Sequence, residues 1–299
     1  MAIWAVNLDE AESVKKSIES IFKTITTKPE ALNNIKEGGH YYSQLKEYFI
    51  QWLKFLQTVK EFPLKTPFYR IRKLNGALFS GVPDIKGLKY APKGLQLGRM
   101  NNSSINVMYT SFHEYTAISE SRLEEGDRFQ LTRFQSNRPV KYYELNMFSR
   151  LYFSTPRDSA EYKEAMRTLF GMDGTDTAVR GFASLESALM DGLYANHEDP
   201  EISYLVSSII SDAIFTAYTD IDAVVLPSMQ QRFGTNVCFR ETAADNLDIT
   251  FSCVNQVEKV YNHGFYRYHT ETECLDFTKE PLSYRSVSEK HSNAHYTYR

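Results

Sequence analysis

The 299-residue sequence has few cysteines and no long apolar run, and both shortages exclude whole classes of protein. Its three cysteines (Cys238, Cys253 and Cys274) are odd in number and form no Cys-x-x-Cys pair, which argues against a disulfide framework or a thiolate zinc site. No window approaches the roughly 20 apolar residues of a membrane-spanning helix, and the start lacks the basic and apolar regions of a signal peptide. We therefore expect a cytoplasmic protein that does not bind a membrane.

An excess of positive charge and the common nucleotide-binding motif are also missing. The net charge is −3, from 34 basic and 37 acidic residues, so binding of nucleic acid through phosphate neutralisation is not expected. The pattern GxxxxGK[ST] is absent, which excludes a P-loop NTPase. The histidines are scattered, and the pair four residues apart, His291 and His295, lies in a polar C-terminal tail. We therefore expect no metal site.

Arginine is absent before Arg70, although nine lysines precede it. This stretch has helical patterns. Apolar residues recur at steps of three and four from Val14 to Ile25, the run Gly38-Gly39 interrupts them, and a second apolar face follows over 45–56. We assign residues 1–60 to an N-terminal helical extension, and expect its apolar stripes to pack on the following domain or on another copy in a homo-oligomer.

After residue 60 the pattern changes to short strands, turns and further helices. Apolar runs at 68–71, 107–110 and 223–226 predict strands, and the last of them is expected to be buried and central. Helices are predicted over 114–122, 159–170 and 201–218, two more strands within 128–146, and a long glycine-rich loop over 76–98. The predicted fold class is α+β, with a mixed β core and flanking helices.

Polar residues in or beside these elements are the candidates for chemistry: Arg70, Arg99, Asn101, Tyr109, Glu120, Ser228 and Asn236. Taken singly, each has an ordinary structural explanation. An arginine pairs with a surface carboxylate, a tyrosine packs in the core, and a serine or asparagine occupies a turn. The order of the seven along the chain carries more information than any one of them.

The segments that contain these residues match a known family when they are taken in order. They read Phe68-Tyr69-Arg70-Ile71, Gly98-Arg99-Met100-Asn101, Val107-Met108-Tyr109-Thr110-Ser111, Thr116-Ala117-Ile118-Ser119-Glu120, and Ile221 to Ser228 running into Gly234-Thr235-Asn236-Val237. From about residue 68 to 240 the chain resembles the RES-domain family, named for arginine, glutamate and serine, which includes toxins of toxin-antitoxin modules. With Met100 where the short toxins usually have Trp, and with a helical segment ahead, it is more similar to the longer RES proteins.

The resemblance implies an ADP-ribosyltransferase-like fold and an enzyme that consumes NAD as its substrate without a metal. RES domains split the nicotinamide-ribose bond, so it implies an NAD phosphorylase or NAD glycohydrolase, with phosphate or water as acceptor and a role as a toxin or antiphage-defence effector. Two alternatives stay open: a protein mono-ADP-ribosyltransferase that uses the same pocket, and a non-catalytic NAD-binding interaction protein. We place the RES-like domain at 61–250 and a C-terminal extension packed on the core at 251–299, and we expect an antitoxin or another regulatory protein as partner.

The implied reaction gives each candidate a role. Cleavage of an N-glycosidic bond passes through an oxocarbenium-like state, which a carboxylate stabilises, and Glu120 is the only carboxylate among the seven. Arginine binds pyrophosphate through its planar guanidinium, and a tyrosine can stack on nicotinamide or bond a ribose hydroxyl. The catalytic set is therefore Glu120, Tyr109 and Arg70. The NAD-binding set is Arg70, Arg99, Asn101, Tyr109, Ser228 and Asn236.

Overall fold

The computed structural model describes residues 6–28, 30–36, 38–56, 58–78, 80–91, 98–101, 106–170, 176–195 and 200–287. The helices are α1 (Leu8–Thr27), α2 (Ala31–Ile35), α3 (Tyr42–Leu53), α4 (Ile85–Lys89), α5 (Glu114–Glu120), α6 (Met147–Ser154), α7 (Ala160–Phe170), α8 (Asp176–Tyr194), α9 (Pro200–Ala217) and α10 (Glu241–Asp245). The strands are β1 (Val59–Phe62), β2 (Pro67–Leu74), β3 (Val107–Ser111), β4 (Arg128–Ser136), β5 (Val140–Glu144), β6 (Ala223–Pro227), β7 (Thr235–Arg240), β8 (Leu247–Val260), β9 (Tyr266–Cys274) and β10 (Arg285–Ser286). The α+β class expected from the sequence is confirmed.

These strands form one sheet in the order β1-β5-β6-β7-β3-β2-β4-β8-β9-β10. The pairs in its middle are antiparallel, and β2 is paired with β4 along all eight of its residues. On its other edge β2 meets β3 at a single residue pair, Tyr69 opposite Ser111, within the described part of the chain. The sheet is therefore open between β2 and β3.

The chain divides into two compact units. The helical unit comprises residues 1–60, 96–105 and 143–221. In it, α1 packs on α8, α3 packs on α9, and α6 packs on α8. Helix α1 starts with a capping box, in which Asn7 and Glu10 each accept the backbone N–H of the other at 2.8 and 2.9 Å, satisfying two donors of its first turn. The apolar stripe predicted in the N-terminal segment is buried within this unit, with Val14 and Ile18 among its members.

The sheet unit comprises residues 61–95, 106–142 and 222–299. Its strands are apolar on both faces. On β2, Phe68 and Leu74 belong to one buried cluster, whereas Tyr69 and Ile71 belong to the other, as the alternation of side chains along a strand requires. Helix α4 contributes to the first cluster and helix α5 to the second. The sheet is therefore covered on both sides near β2, with α5 on the side of Tyr69.

The structure confirms most of the predicted elements and corrects one. The predicted strands and helices are present, and Ser159 caps α7 by accepting the N–H of Tyr162 at 3.1 Å. The segment 76–98, predicted as a long loop, contains a 3-10 turn (Gly76–Leu78) and α4. Asp84 caps α4 by accepting the N–H of Gly87 at 2.7 Å, but the helix has five residues, too few to show a helical period. The polar tail beyond residue 287 lies outside the described residues.

Candidate functional site

A cavity of about 220 Å³ lies in the sheet unit where β2 and β3 separate. Four residues predicted as site residues line it together: Arg70, Tyr109, Glu120 and Asn236. They come from β2, β3, the last residue of α5 and β7 respectively. The open edge of the sheet thus brings together side chains that are up to 166 positions apart in the sequence.

Glu120 is held through one of its two carboxylate oxygens. Its Oε1 accepts a hydrogen bond from Ser228 Oγ at 2.5 Å and another from Asn236 Nδ2 at 2.8 Å. Its Oε2 takes no hydrogen bond from the residues that the structure describes, and the side chain is exposed at the cavity. Two donors at Oε1 fix the orientation of the carboxylate, and this leaves Oε2 for a ligand.

The amide of Asn236 is itself fixed by the register of the sheet. Ser111 on β3 lies directly opposite Asn236 on β7, and Ser111 Oγ donates to Asn236 Oδ1 at 2.7 Å. Both residues are buried, with 2% and 7% of their surface exposed. Because its oxygen accepts from Ser111, the amide presents its NH₂ group to Glu120. Sequence reasoning did not single out Ser111, since a serine at a strand end is distinguished only by what the register places opposite it.

Ser228 follows β6 and begins the turn to β7. Its backbone N–H donates to Gly234 O at 2.8 Å, and its Oγ accepts the backbone N–H groups of Gln230 and Gln231 at 3.2 and 3.0 Å. A side chain at Gly234 would lie 2.6 Å from Thr116 on α5 and 2.9 Å from the Cβ of Ser228. Glycine at this position therefore allows the turn to lie directly against α5, next to Glu120.

Arg70 fills the gap between the separated strands. Its Nε donates to Leu88 O at 3.0 Å, at the end of α4, and its Nη1 donates to Tyr109 O on β3 at 3.2 Å. Burial and the neighbouring charge of Arg72 lower the pKa of Arg70 to about 10, so the guanidinium stays protonated at neutral pH. No carboxylate among the described residues forms an ion pair with it. Arg70 therefore lines the cavity and holds a protonated guanidinium, a group that binds anions, between β2, α4 and β3.

Tyr109 lines the cavity and lies opposite Cys238 on β7. The two side chains interact, and burial raises the pKa of the Cys238 thiol well above its usual range. The thiol is therefore neutral, and it lies on the same face of the strand pair as the side chain of Tyr109.

Arg99 and Asn101 belong to the helical unit. Arg99 Nη1 donates to Leu193 O at 2.8 Å and Ala195 O at 3.4 Å, and its guanidinium lies 5.3 Å from the ring centre of Tyr194. These carbonyls stand at the C-terminal end of α8, where a cation is favourable. Asn101 is buried. The assignment of both residues to NAD binding stays a prediction.

In the described part of the chain, no group of three or more His, Cys, Asp or Glu side chains is arranged to hold a metal ion. The described helices likewise include none that is long and apolar enough to cross a membrane.

The fold and the cavity define an α+β protein with a carboxylate and an arginine at the open edge of its sheet. Residues 67–252 match the model of the RES domain, and the chain therefore belongs to the RES-domain family, a family of NAD-targeting enzymes. Among solved structures, the chain is similar to the M. tuberculosis MbcT-MbcA toxin-antitoxin complex, at 14% sequence identity and a TM-score of 0.36, over 70% of this chain and 92% of that one. A comparison with curated proteins found no match.

Proposed function

We propose that the protein consumes NAD by cleaving the bond between nicotinamide and ribose, with inorganic phosphate or water as the acceptor. The observation that carries this proposal is the state of Glu120, whose Oε1 is held by Ser228 and Asn236 in the cavity that also presents Arg70. One fixed negative group and one fixed positive group match a substrate that develops positive charge on its ribose and carries negative charge on its phosphates.

Cleavage of the nicotinamide-ribose bond requires few catalytic groups beyond Glu120 and Arg70. When the bond from C1′ to the pyridinium nitrogen breaks, both bonding electrons leave with nicotinamide, which departs as a neutral molecule and requires no general acid. The positive charge stays on the ribosyl group as an oxocarbenium-like state, and the Glu120 carboxylate stabilises it. Phosphate then forms the new bond to C1′, or water forms it and releases a proton. The products are nicotinamide and either ADP-ribose phosphate or ADP-ribose.

The size of the cavity indicates which part of the substrate it takes. Pockets that enclose a whole drug-sized ligand have volumes of roughly 300–1,000 Å³, whereas this cavity has about 220 Å³. It suits the nicotinamide-ribose end of NAD, with the ring of Tyr109 beside it and the guanidinium of Arg70 toward the pyrophosphate. Arg99 and Asn101 are proposed as further contacts to the dinucleotide.

The wider role is proposed from the family together with the chemistry. An enzyme that destroys NAD harms its host, so we propose a toxin or defence effector in the cytoplasm, restrained by an antitoxin or another regulatory protein. We propose the domain bounds 1–60, 61–250 and 251–299, and assembly of copies through the N-terminal helices.

The direct test is to incubate the purified protein with NAD, with and without phosphate, and to follow nicotinamide release. Release that needs phosphate and yields ADP-ribose phosphate supports phosphorolysis, and release in its absence supports hydrolysis. No release under either condition, from folded protein freed of any inhibitor, would refute the proposal. Transfer of label from NAD to a protein would instead indicate the ADP-ribosyltransferase alternative.

The matched variant is Glu120→Gln, which keeps the size of the side chain and removes its charge. We expect turnover to fall on the order of 10³-fold while the circular dichroism spectrum stays unchanged, because a fixed group that stabilises transition-state charge contributes about that much. Glu124→Gln, which alters an exposed carboxylate beyond the end of α5, is the control and should retain activity. Near-normal turnover in Glu120→Gln would show that another carboxylate stabilises the transition state.

A further inference from the structure

The turn between β6 and β7, here called the Ser228 loop (residues 228–234), is closed by hydrogen bonds of its own. Ser228 N–H donates to Gly234 O at 2.8 Å, and Gly234 N–H donates to Gln231 O at 2.9 Å. The loop is thus a compact turn whose ends are held by the pairing of Pro227 with Thr235. Its internal bonds do not determine where it stands relative to α5, the helix that carries Glu120.

Gln231 is the residue whose side chain leaves this loop and reaches α5. Its Oε1 accepts a short hydrogen bond from Thr116 Oγ1. Thr116 lies one helical turn before Glu120, so the two side chains occupy the same face of α5. Gln231 therefore ties the Ser228 loop to the face of the helix that presents the proposed catalytic carboxylate.

A third segment of the chain also lies against the side chain of Gln231. The Cγ and Nε2 atoms of Gln231 lie 3.5 Å from the place that a Cβ of Gly264 would occupy, and that same place lies 2.8 Å from Ser119 Oγ on α5. Gly264 belongs to the 3-10 turn Asn262–Gly264 between β8 and β9. The side chain of Gln231 thus lies between α5, the Ser228 loop and this turn. Thr116, which donates the hydrogen bond to it, is buried.

We propose that Gln231 is a positioning residue that acts through Thr116 to hold Ser228 Oγ against Glu120. The bond from Ser228 to Oε1 joins two separate elements, so it depends on the position of the loop relative to α5. Loss of the tie lets the loop move, which releases the carboxylate from one of its two donors. This inference rests on the proposed function, because it takes Glu120 to be the group that stabilises the transition state.

A positioning role predicts a specific kinetic pattern. In Thr116→Val and in Gln231→Leu, kcat for nicotinamide release should fall about tenfold, the effect of one lost net hydrogen bond, with KM within about twofold of wild type. Thr116→Ser, which keeps the hydroxyl, should retain kcat. The double variant Thr116→Val/Gln231→Leu should be no slower than the single ones, because both remove the same tie.

Hydrogen exchange provides a readout that does not depend on turnover. The amides of Ser228 and Gly234 should exchange faster in Thr116→Val and Gln231→Leu than in wild type, and at the wild-type rate in Thr116→Ser. Unchanged kcat and exchange in both single variants would overturn the inference, as would losses that multiply in the double variant. If wild type releases no nicotinamide, the proposed function fails, whereas the exchange rates still decide whether Gln231 holds the loop.

Discussion

Glu186 on α8 is a fully buried carboxylate outside the candidate site, and its ionisation should couple the stability of the helical unit to pH. Its Oε2 accepts the backbone N–H of Ser149 at 2.8 Å, in the first turn of α6. Asn146, the residue before α6, has a positive φ of 87° and makes no side-chain cap. Glu186 therefore supplies the cap that this helix lacks, at the cost of placing a carboxyl group away from water.

The pKa of Glu186 determines the sign and size of the effect. Burial raises it from 4.5 to about 7, so the folded protein favours the protonated form more than the unfolded chain does. The stabilisation is fully present below the unfolded value of 4.5 and is lost as the pH rises through about 7. Since one pKa unit corresponds to about 1.4 kcal/mol, the difference amounts to roughly 3 kcal/mol over that whole range.

The assay compares urea unfolding of wild type and Glu186→Gln at several pH values. The variant keeps an acceptor for Ser149 and cannot ionise, so the unfolding free energy of wild type should fall relative to it by about 2.5 kcal/mol between about pH 5 and pH 8. Burial also raises the pKa of Glu114 to about 7, which is why the difference between wild type and variant, rather than the slope of wild type, isolates Glu186. A difference that does not change with pH would refute the reasoning.

Two further substitutions test other features of the sheet unit. Lys89 is buried and donates to three backbone carbonyls at the end of α10 and the start of β8, at 2.9 to 3.3 Å. Lys89→Met should therefore lower the unfolding free energy by about 1–3 kcal/mol in urea, whereas the exposed Lys86→Met should not, and equal values would contradict this account. Arg70→Lys keeps the charge but not the planar fork, so nicotinamide release should fall about tenfold or more. Arg72→Lys, outside the residues lining the cavity, should retain activity, and equal losses in both variants would show that the loss is not specific to the guanidinium of Arg70.

The elements predicted from periodic patterns agree with the structure, whereas several other elements were missed. Helix α9 was predicted because its apolar residues repeat at helical spacing. Helix α8 was not, although Arg180, Ser187 and Asp191 are exposed at helical spacing on it. It also contains Gly181, which ordinarily counts against a helix. A Cβ there would lie 1.8 Å from the backbone oxygen of Val6, so this glycine reflects a tertiary contact.

Strand β8 was not assigned individually from the sequence, although strands were expected in the C-terminal extension. Five consecutive residues from Phe251 to Asn255 are buried, because β4 and β9 pair with the strand on either side and both faces of the sheet are covered. Such a strand shows no alternation of polar and apolar residues. Strand β8 also runs across position 250, the predicted boundary between the RES-like domain and the C-terminal extension.

The residues of the candidate site could be predicted, but their hydrogen bonds could not. The order of motifs along the chain identified Glu120, Asn236 and Ser228 before any geometry was known. That Asn236 turns its NH₂ group to Glu120 depends on Ser111, which the antiparallel register of β3 and β7 places opposite it. A register shifted by one residue would turn Asn236 to the other face of the sheet and leave Glu120 with a single donor. The orientation of the carboxylate is thus a property of strand pairing, which a linear motif does not record.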